Sequence, residues 1–525
     1  AGLHYQLRRV RRPVTHLGLG RHAQADLMRV TWSNGVPQNT FRPAPNQTVL
    51  EPQILKGSCP YLYSWDGNRF VFVTDLLAAA PLGLVPAEGV IAPDNPRELM
   101  TLPEDRIGTQ YGSYVFQYTS ELWETVYLDE VSLWAVDHPA GTEVFTDQRF
   151  LPPPYGMPAP VFTEGRTPPQ LAKNTAGETV TERLLDFDHR YPESLRPTRY
   201  QGIVKPHTLT LHFGDVSHLE RPLLVIGCWI FWTDTSINVS MSQGSAVVPG
   251  PTTLETWHPD AGWQAVDQPF GLPNGKDKWA LLDLADDLYA PDARVRLRTV
   301  SQIHWDQAFL ANAAASAPHR IVRLSPQLAD LHYGGFSRLY RPTEDGPHLY
   351  DYAHKVYLPV WQDMIGMATR YGDVTELLTA SDDRFAVFTA GDEVTIRFDS
   401  ERLPELKPGW RRSFLFYSDG WEKDADRNTV TGDTVEPLPF HAMSAYPYPA
   451  SEAYPNDAEH RAYLETYQAR RIGPEAYRSF VKDYRGGEVE PLPWALEPGV
   501  RQKQDQTQPP MNPGSESGAD TDEHR

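Results

Sequence analysis

Forty-eight prolines run through this 525-residue chain, close to twice the usual share of about 5%. Each fixes φ and removes a backbone donor, which interrupts helices and favours short strands joined by turns. The apolar residues agree. Leu209, Leu211 and Phe213 alternate with polar neighbours, as do Val295 and Leu297 between Arg294, Arg296 and Arg298, and as do Val394, Ile396 and Phe398. A period of two places one set of side chains on a core and the other in water. Residues 223–232 are apolar throughout, which suits a central strand covered on both faces. Two apolar runs flank Asp66-Gly67, the signature of a hairpin. The expected class is mainly β: several β-sandwich-like domains, a short helical C-terminal segment and a disordered tail.

The pattern divides the chain at changes in composition. Residues 1–55 read as the later part of a small β domain. There Leu27 to Trp32 form a strand, Ser33-Asn34-Gly35 a tight turn and Gln47 to Leu50 the returning strand. Residues 56–200 form a β-rich domain that ends in a long Pro-rich connection over 151–200. A sandwich over 201–310 and a further β-rich domain over 311–450 follow. In 451–500, Asn456 is placed to cap a helix that carries Tyr463, Leu464 and Tyr467 on one face, with Gly473-Pro474 dividing it. Residues 501–525 lack aromatic residues and Val, Ile, Leu and Phe, and read as a disordered tail. The chain begins at Ala1 with no charged-then-apolar leader, which reads as processing or a fragment.

Charge narrows the partners. A formal net charge of −20 disfavours nucleic acid and anionic membrane surfaces. No run of 18 apolar residues exists, so no transmembrane helix is expected. The two cysteines, Cys59 and Cys228, either pair in an oxidising compartment or sit as small buried hydrophobes. Gly18 to Ala23 spell G-x-G-x-x-A, but a strand rather than a crossover helix follows, so a Gly-rich turn is the better reading.

Chemistry-bearing motifs are sparse. There is no G-x-S-x-G, H-E-x-x-H or Walker A sequence. Asp137 could orient His138, or His138 could simply sit in a turn; His441 reads equally well as a core-edge residue. Asp382-Asp383 and Asp286-Asp287 read as solvated turns, and Trp229, Trp232 and Trp305 as core. Asp424, Asp426 and Asn428 alternate along one loop, a spacing that lets three oxygens converge on a structural Ca²⁺. The Gly and the bidentate Glu of an EF-hand are missing, since Thr429 and Val435 stand there. An Asx-rich turn that binds its own backbone is the competing reading. A glycosidase carboxylate pair is defined by spatial separation, so the linear sequence cannot select one.

His16-Leu17-Gly18-Leu19-Gly20, Val30-Thr31-Trp32-Ser33-Asn34-Gly35, Gln38 and Asn46 together resemble the later part of the ASPIC/UnbV domain. Segments from Gly57-Ser58-Cys59-Pro60 through Gly420-Trp421 and on to Thr429 resemble the C-terminal extension of some large bacterial members. They include Val136-Asp137-His138-Pro139, Thr233 to Asn238, Gly271 to Lys278 and Arg370 to Leu378. In that family an FG-GAP propeller commonly precedes the domain, and none of its repeats is visible here. The resemblance implies an extracytoplasmic bacterial protein of binding or structural type, in the periplasm, on the outer-membrane surface or secreted, and supplies no active site. The first functional expectation is therefore a non-catalytic adhesion or binding module with a protein or glycan partner at the cell surface. A carbohydrate-active hydrolase with a carboxylate pair and a subunit of a surface assembly are the alternatives.

Overall fold

The structure is a computed structural model that describes residues 5–12, 14–32, 37–49, 59–244, 252–342, 346–357 and 363–473. It is mainly β, as expected, with two short α-helices among the described residues. All named strand pairs are antiparallel; the largest are those joining Glu124–Pro139 to Trp410–Asp424 and Pro222–Phe231 to Ala293–Ala313.

Two sheets face each other across the main core. One contains, in order, Gly372–Asp373, Leu328–Tyr333, Asp392–Asp399, Ser113–Thr119, Tyr61–Trp65 and Phe70–Asp75. The other contains Arg320–Leu324, Glu124–Pro139, Trp410–Asp424 and Arg97–Leu102, with Ala386–Thr389 also paired to Glu124–Pro139. Val394, Ile396 and Phe398 point into the space between them and meet Leu128, Leu133 and Phe416 from the opposite sheet. The alternation seen in the sequence is thus spent on this shared apolar layer, where removal from water drives association of the sheets.

The second unit is inserted between the strands of the first. Strands over 142–313 build a separate nine-stranded sheet around the 21-residue strand Ala293–Ala313. The first half of that strand pairs with Ile203–Gly214 and Thr253–His258, and the second half with Pro222–Phe231 and Val161–Thr167. Together these strands enclose one apolar cluster that includes Leu209, Leu211, Phe213, Ile226, Leu297 and Trp305. Pro222–Phe231 is paired on both edges, to Lys278–Asp283 and to Ala293–Ala313, and its alternate side chains enter two apolar clusters, Leu224 and Ile226 one and Leu223 and Val225 the other, as its continuous apolar run implies. The boundaries expected at 200 and 310 do not follow the sheets: strand Arg320–Leu324 pairs with Glu124–Pro139 across the whole insertion.

Local expectations fare unevenly. The Asp66-Gly67 hairpin forms between Tyr61–Trp65 and Phe70–Asp75, and the Asp66 carboxylate accepts the amides of Asn68 and Arg69. Near the N-terminus, Leu27–Thr31 pairs with Pro37–Phe41 rather than with Gln47 to Leu50. The nearer segment takes the edge, with Thr31 opposite Pro37; the turn residues 33–36 lie outside the described residues. The expected connection over 151–200 contains two strands, Val161–Thr167 and Leu171–Lys173. The C-terminal helix is Ala458–Thr466, capped by Asp457 rather than Asn456. Helix Thr235–Ser242, capped by Asp234, has no counterpart in the sequence reading. The proposed break at Gly473-Pro474 and the tail over 501–525 extend outside the described residues.

Candidate functional site

The seam between the two units is charged and buried. The segment Leu272 to Lys278 of the inserted unit reaches the end of strand Phe70–Asp75. Asp75, fully buried, accepts the Lys276 amide on Oδ1 and the Lys276 ammonium on Oδ2, both at 2.7 Å. The Lys278 ammonium also lies 3.4 Å from Asp75 Oδ1 and donates to the Asp75 carbonyl. Thr74 Oγ1 donates to the Lys276 carbonyl at 2.8 Å. Gly275 makes the approach possible: its φ is +126°, and a Cβ there would fall 2.0 Å from Asp75 Oδ1. Next along, Asp277 pairs with Arg106 at 2.9 Å and with His189 Nε2 at 2.9 Å. Burial opposes its ionisation, yet these two cations hold its carboxyl down at about 2.

Beside the seam lies a cleft of about 190 Å³ lined by Arg97, Glu98, Asp147, Arg149, Phe150 and Tyr155 among others. Two carboxylates face it. Burial pushes the Glu98 carboxyl upward, and its oxygens accept from the Leu77 amide and the Asn274 side chain. Asp147 is held by both nitrogens of a two-point Arg149 contact, at 2.7 Å each.

A second cluster gathers where two long strands fall out of register. Asp419 faces Glu130 and Gly420 faces Leu128, so Asp129 is the extra residue of a β-bulge. Gly420 is required there: its φ is +159°, and a Cβ would lie 2.4 Å from the Tyr127 carbonyl. Bulges re-aim side chains, and here Asp129 is brought to Asp383 and His441. Asp129 Oδ2 accepts the Asp383 amide at 3.0 Å and lies 3.6 Å from His441 Nδ1. His441 Nδ1 is 2.7 Å from Asp383 Oδ1, and Nε2 is 3.0 Å from Asp419 Oδ1. Asp419 in turn accepts from Ser381 at 2.7 Å and Arg97 at 3.2 Å. Burial lifts the Asp129 carboxyl to about 8. Burial alone would lower the His441 imidazole, but its bonds to Asp383 and Asp419 carry it to about 10.

The loop singled out by its spacing bonds its own backbone and a neighbouring helix. Asp424 Oδ1 accepts the Asp426 amide at 2.7 Å, and Asp426 Oδ1 accepts the Asn428 amide at 2.9 Å. Asp426 also takes the Ser236 hydroxyl at 2.7 Å and the Ser236 amide at 3.2 Å, and Asn428 Nδ2 donates to that hydroxyl at 2.6 Å. The three side chains are thus engaged in an Asx turn that docks helix Thr235–Ser242. Asp137 binds Arg412 and Arg320, while His138 bonds Thr142 and Ser413 at 2.9 Å each, so the adjacent pair does not act as one. Cys59 and Cys228 are buried free thiols, each pushed up by burial. Trp229 and Trp305 are buried. Sequence reasoning missed the seam lysines and the joining of Asp129, Asp383 and His441.

No family model, curated protein or solved structure matches the chain.

Proposed function

We propose that this chain is an extracytoplasmic, non-catalytic module that works by contact with a protein or glycan, as the later part of an ASPIC/UnbV-type protein. The motif resemblance of residues 16–46 supports its placement. The observation that carries the non-catalytic reading is the state of the cleft carboxylates: Glu98 and Asp147 are already committed to protein donors. A general acid or nucleophile needs a carboxyl free to meet substrate. Tyr155 and Phe150 line the same cleft and suit stacking on a sugar face or a peptide side chain.

One observation favours the hydrolase alternative: two carboxylates line the cleft and burial raises Glu98, as a general acid requires. Incubation with envelope polysaccharide separates the two. The binding reading expects retention of polysaccharide or of a co-purifying envelope protein, lost in Tyr155→Ala, with no release of reducing ends. Release of reducing ends that Glu98→Gln abolishes in a folded variant would establish the hydrolase instead.

A further inference from the structure

We propose that Asp129, Asp383 and His441 form a site for one divalent transition-metal ion of the zinc class. Their nearest ligand atoms all lie within 4.8 Å of one another, a span that small side-chain adjustments convert into a shared coordination sphere. The three residues come from separate parts of the fold: a bulged strand, the turn after residue 380, and the segment that leads to the C-terminal helix. An ion there clasps all three together.

Two further features point to a ligand rather than to a self-contained ion pair. Asp129 is 0% exposed, and its Oδ1 has no hydrogen-bond partner. A buried carboxylate oxygen left without a donor is costly, and a cation satisfies it directly. The second feature is Asp419 on the far nitrogen of His441, at 3.0 Å. A carboxylate that accepts from Nε2–H makes Nδ1 the nitrogen that binds an ion once its own proton is lost, the arrangement by which outer carboxylates orient metal-bound imidazoles. Asp419 is itself fixed by Ser381 and Arg97, so the orientation is held from behind. The His441 side chain is 21% exposed, which gives an ion a path from solvent.

The donor set decides the metal. One imidazole nitrogen with two carboxylates suits zinc and its neighbours, whereas calcium prefers six to eight oxygens. Loading is a proton exchange: the metal–Nδ1 bond forms as the Nδ1–H bond to Asp383 is lost, Asp129 gives up the proton its carboxyl holds below about pH 8 as it binds the ion, and both protons leave to solvent. No oxidant or reductant is involved.

The test is titration of the EDTA-treated, dialysed full chain with zinc chloride by calorimetry, with bound metal counted by elemental analysis. One equivalent is expected, with release of at least one proton per ion, and Asp129→Asn and His441→Gln are each expected to remove it. Asp419→Asn should keep the site but weaken it by about 10–100-fold, and Asp424→Asn should leave it unchanged. No zinc bound to the folded wild type, or a stoichiometry that Asp129→Asn and His441→Gln both leave intact, overturns the proposal. If those variants do not fold, X-ray absorption of the zinc-loaded wild type decides. One imidazole among N/O ligands at about 2.0–2.2 Å is expected, and a shell without imidazole refutes the site.

Discussion

Asp75 is the residue on which the joint between the two units turns. It is fully buried, receives two charge-assisted hydrogen bonds from Lys276, and lies beside a second ammonium, that of Lys278, which is itself 0% exposed. Ion pairs of this kind add little over a well-packed apolar substitute, but removing one partner strands the other charge in a dry interior. Asp75→Asn keeps the shape and removes the counter-charge from two lysines. The expected loss is about 3–5 kcal/mol, read as a lowered midpoint in urea with an unchanged slope. Loss of less than about 1 kcal/mol would show that the lysines find other acceptors. Surface pairs such as Arg190 with Asp188 stand at the other extreme, where solvent screening leaves little to lose.

At the scale of elements, the segment Leu272 to Lys278 is shaped by one backbone position. Gly275 combines a φ of +126° with a neighbouring carboxylate where a Cβ would sit. Gly275→Ala must shift either the segment or Asp75, so it is expected to cost about 2–4 kcal/mol. Gly141→Ala, in open space, serves as the control and should change stability little; equal melting of the two variants would refute the close approach. The strands themselves were legible in the sequence because each period-two run buries one face against a sheet: Val394, Ile396 and Phe398 were readable before any partner was known. Helix Thr235–Ser242 was not, because Thr-Ser-Ile-Asn-Val-Ser-Met-Ser carries no continuous apolar stripe. Its cap Asp234 and its dock on Asp426 supply what the pattern lacks. The site at His441 was equally hidden. Asp129, Asp383 and His441 are more than fifty residues apart in each pair, and only a register shift opposite Gly420 turns Asp129 toward the others.

For the whole molecule, the insertion of one sheet system within another leaves many ionisable groups in dry surroundings, and their protons become part of folding. Burial, with Asp424 nearby, raises Glu124 to about 8, and burial raises Asp129 to about 8. Each therefore keeps a proton in the folded chain that the unfolded chain has released above about pH 4. Stability from that proton is fully present at low pH and is lost as pH rises through about 8. His441, carried to about 10 by Asp383 and Asp419 despite burial, acts in the same direction above about pH 6.5. Lys423 opposes them: burial lowers it to about 7, so above that pH the folded chain lacks a proton that the unfolded chain retains. Among these four groups the three that hold extra protons outweigh the one that lacks one, and Asp306 and Asp363, each raised by burial to about 7, add to them at the lower end of the window, so the net is a loss, at roughly 1.4 kcal/mol per pH unit for each uncompensated proton. The melting temperature, measured in EDTA, is therefore expected to fall between pH 6.5 and 8. Glu124→Gln mimics the protonated acid and keeps an acceptor for the Cys59 amide that Glu124 now receives. The variant should melt above the wild type at pH 8, with the gap narrowing toward pH 5.5. A wild-type midpoint that climbs from pH 6.5 to 8 would mean that Lys423, not the buried carboxyls, governs the balance, and that Glu124 is ionised where it sits.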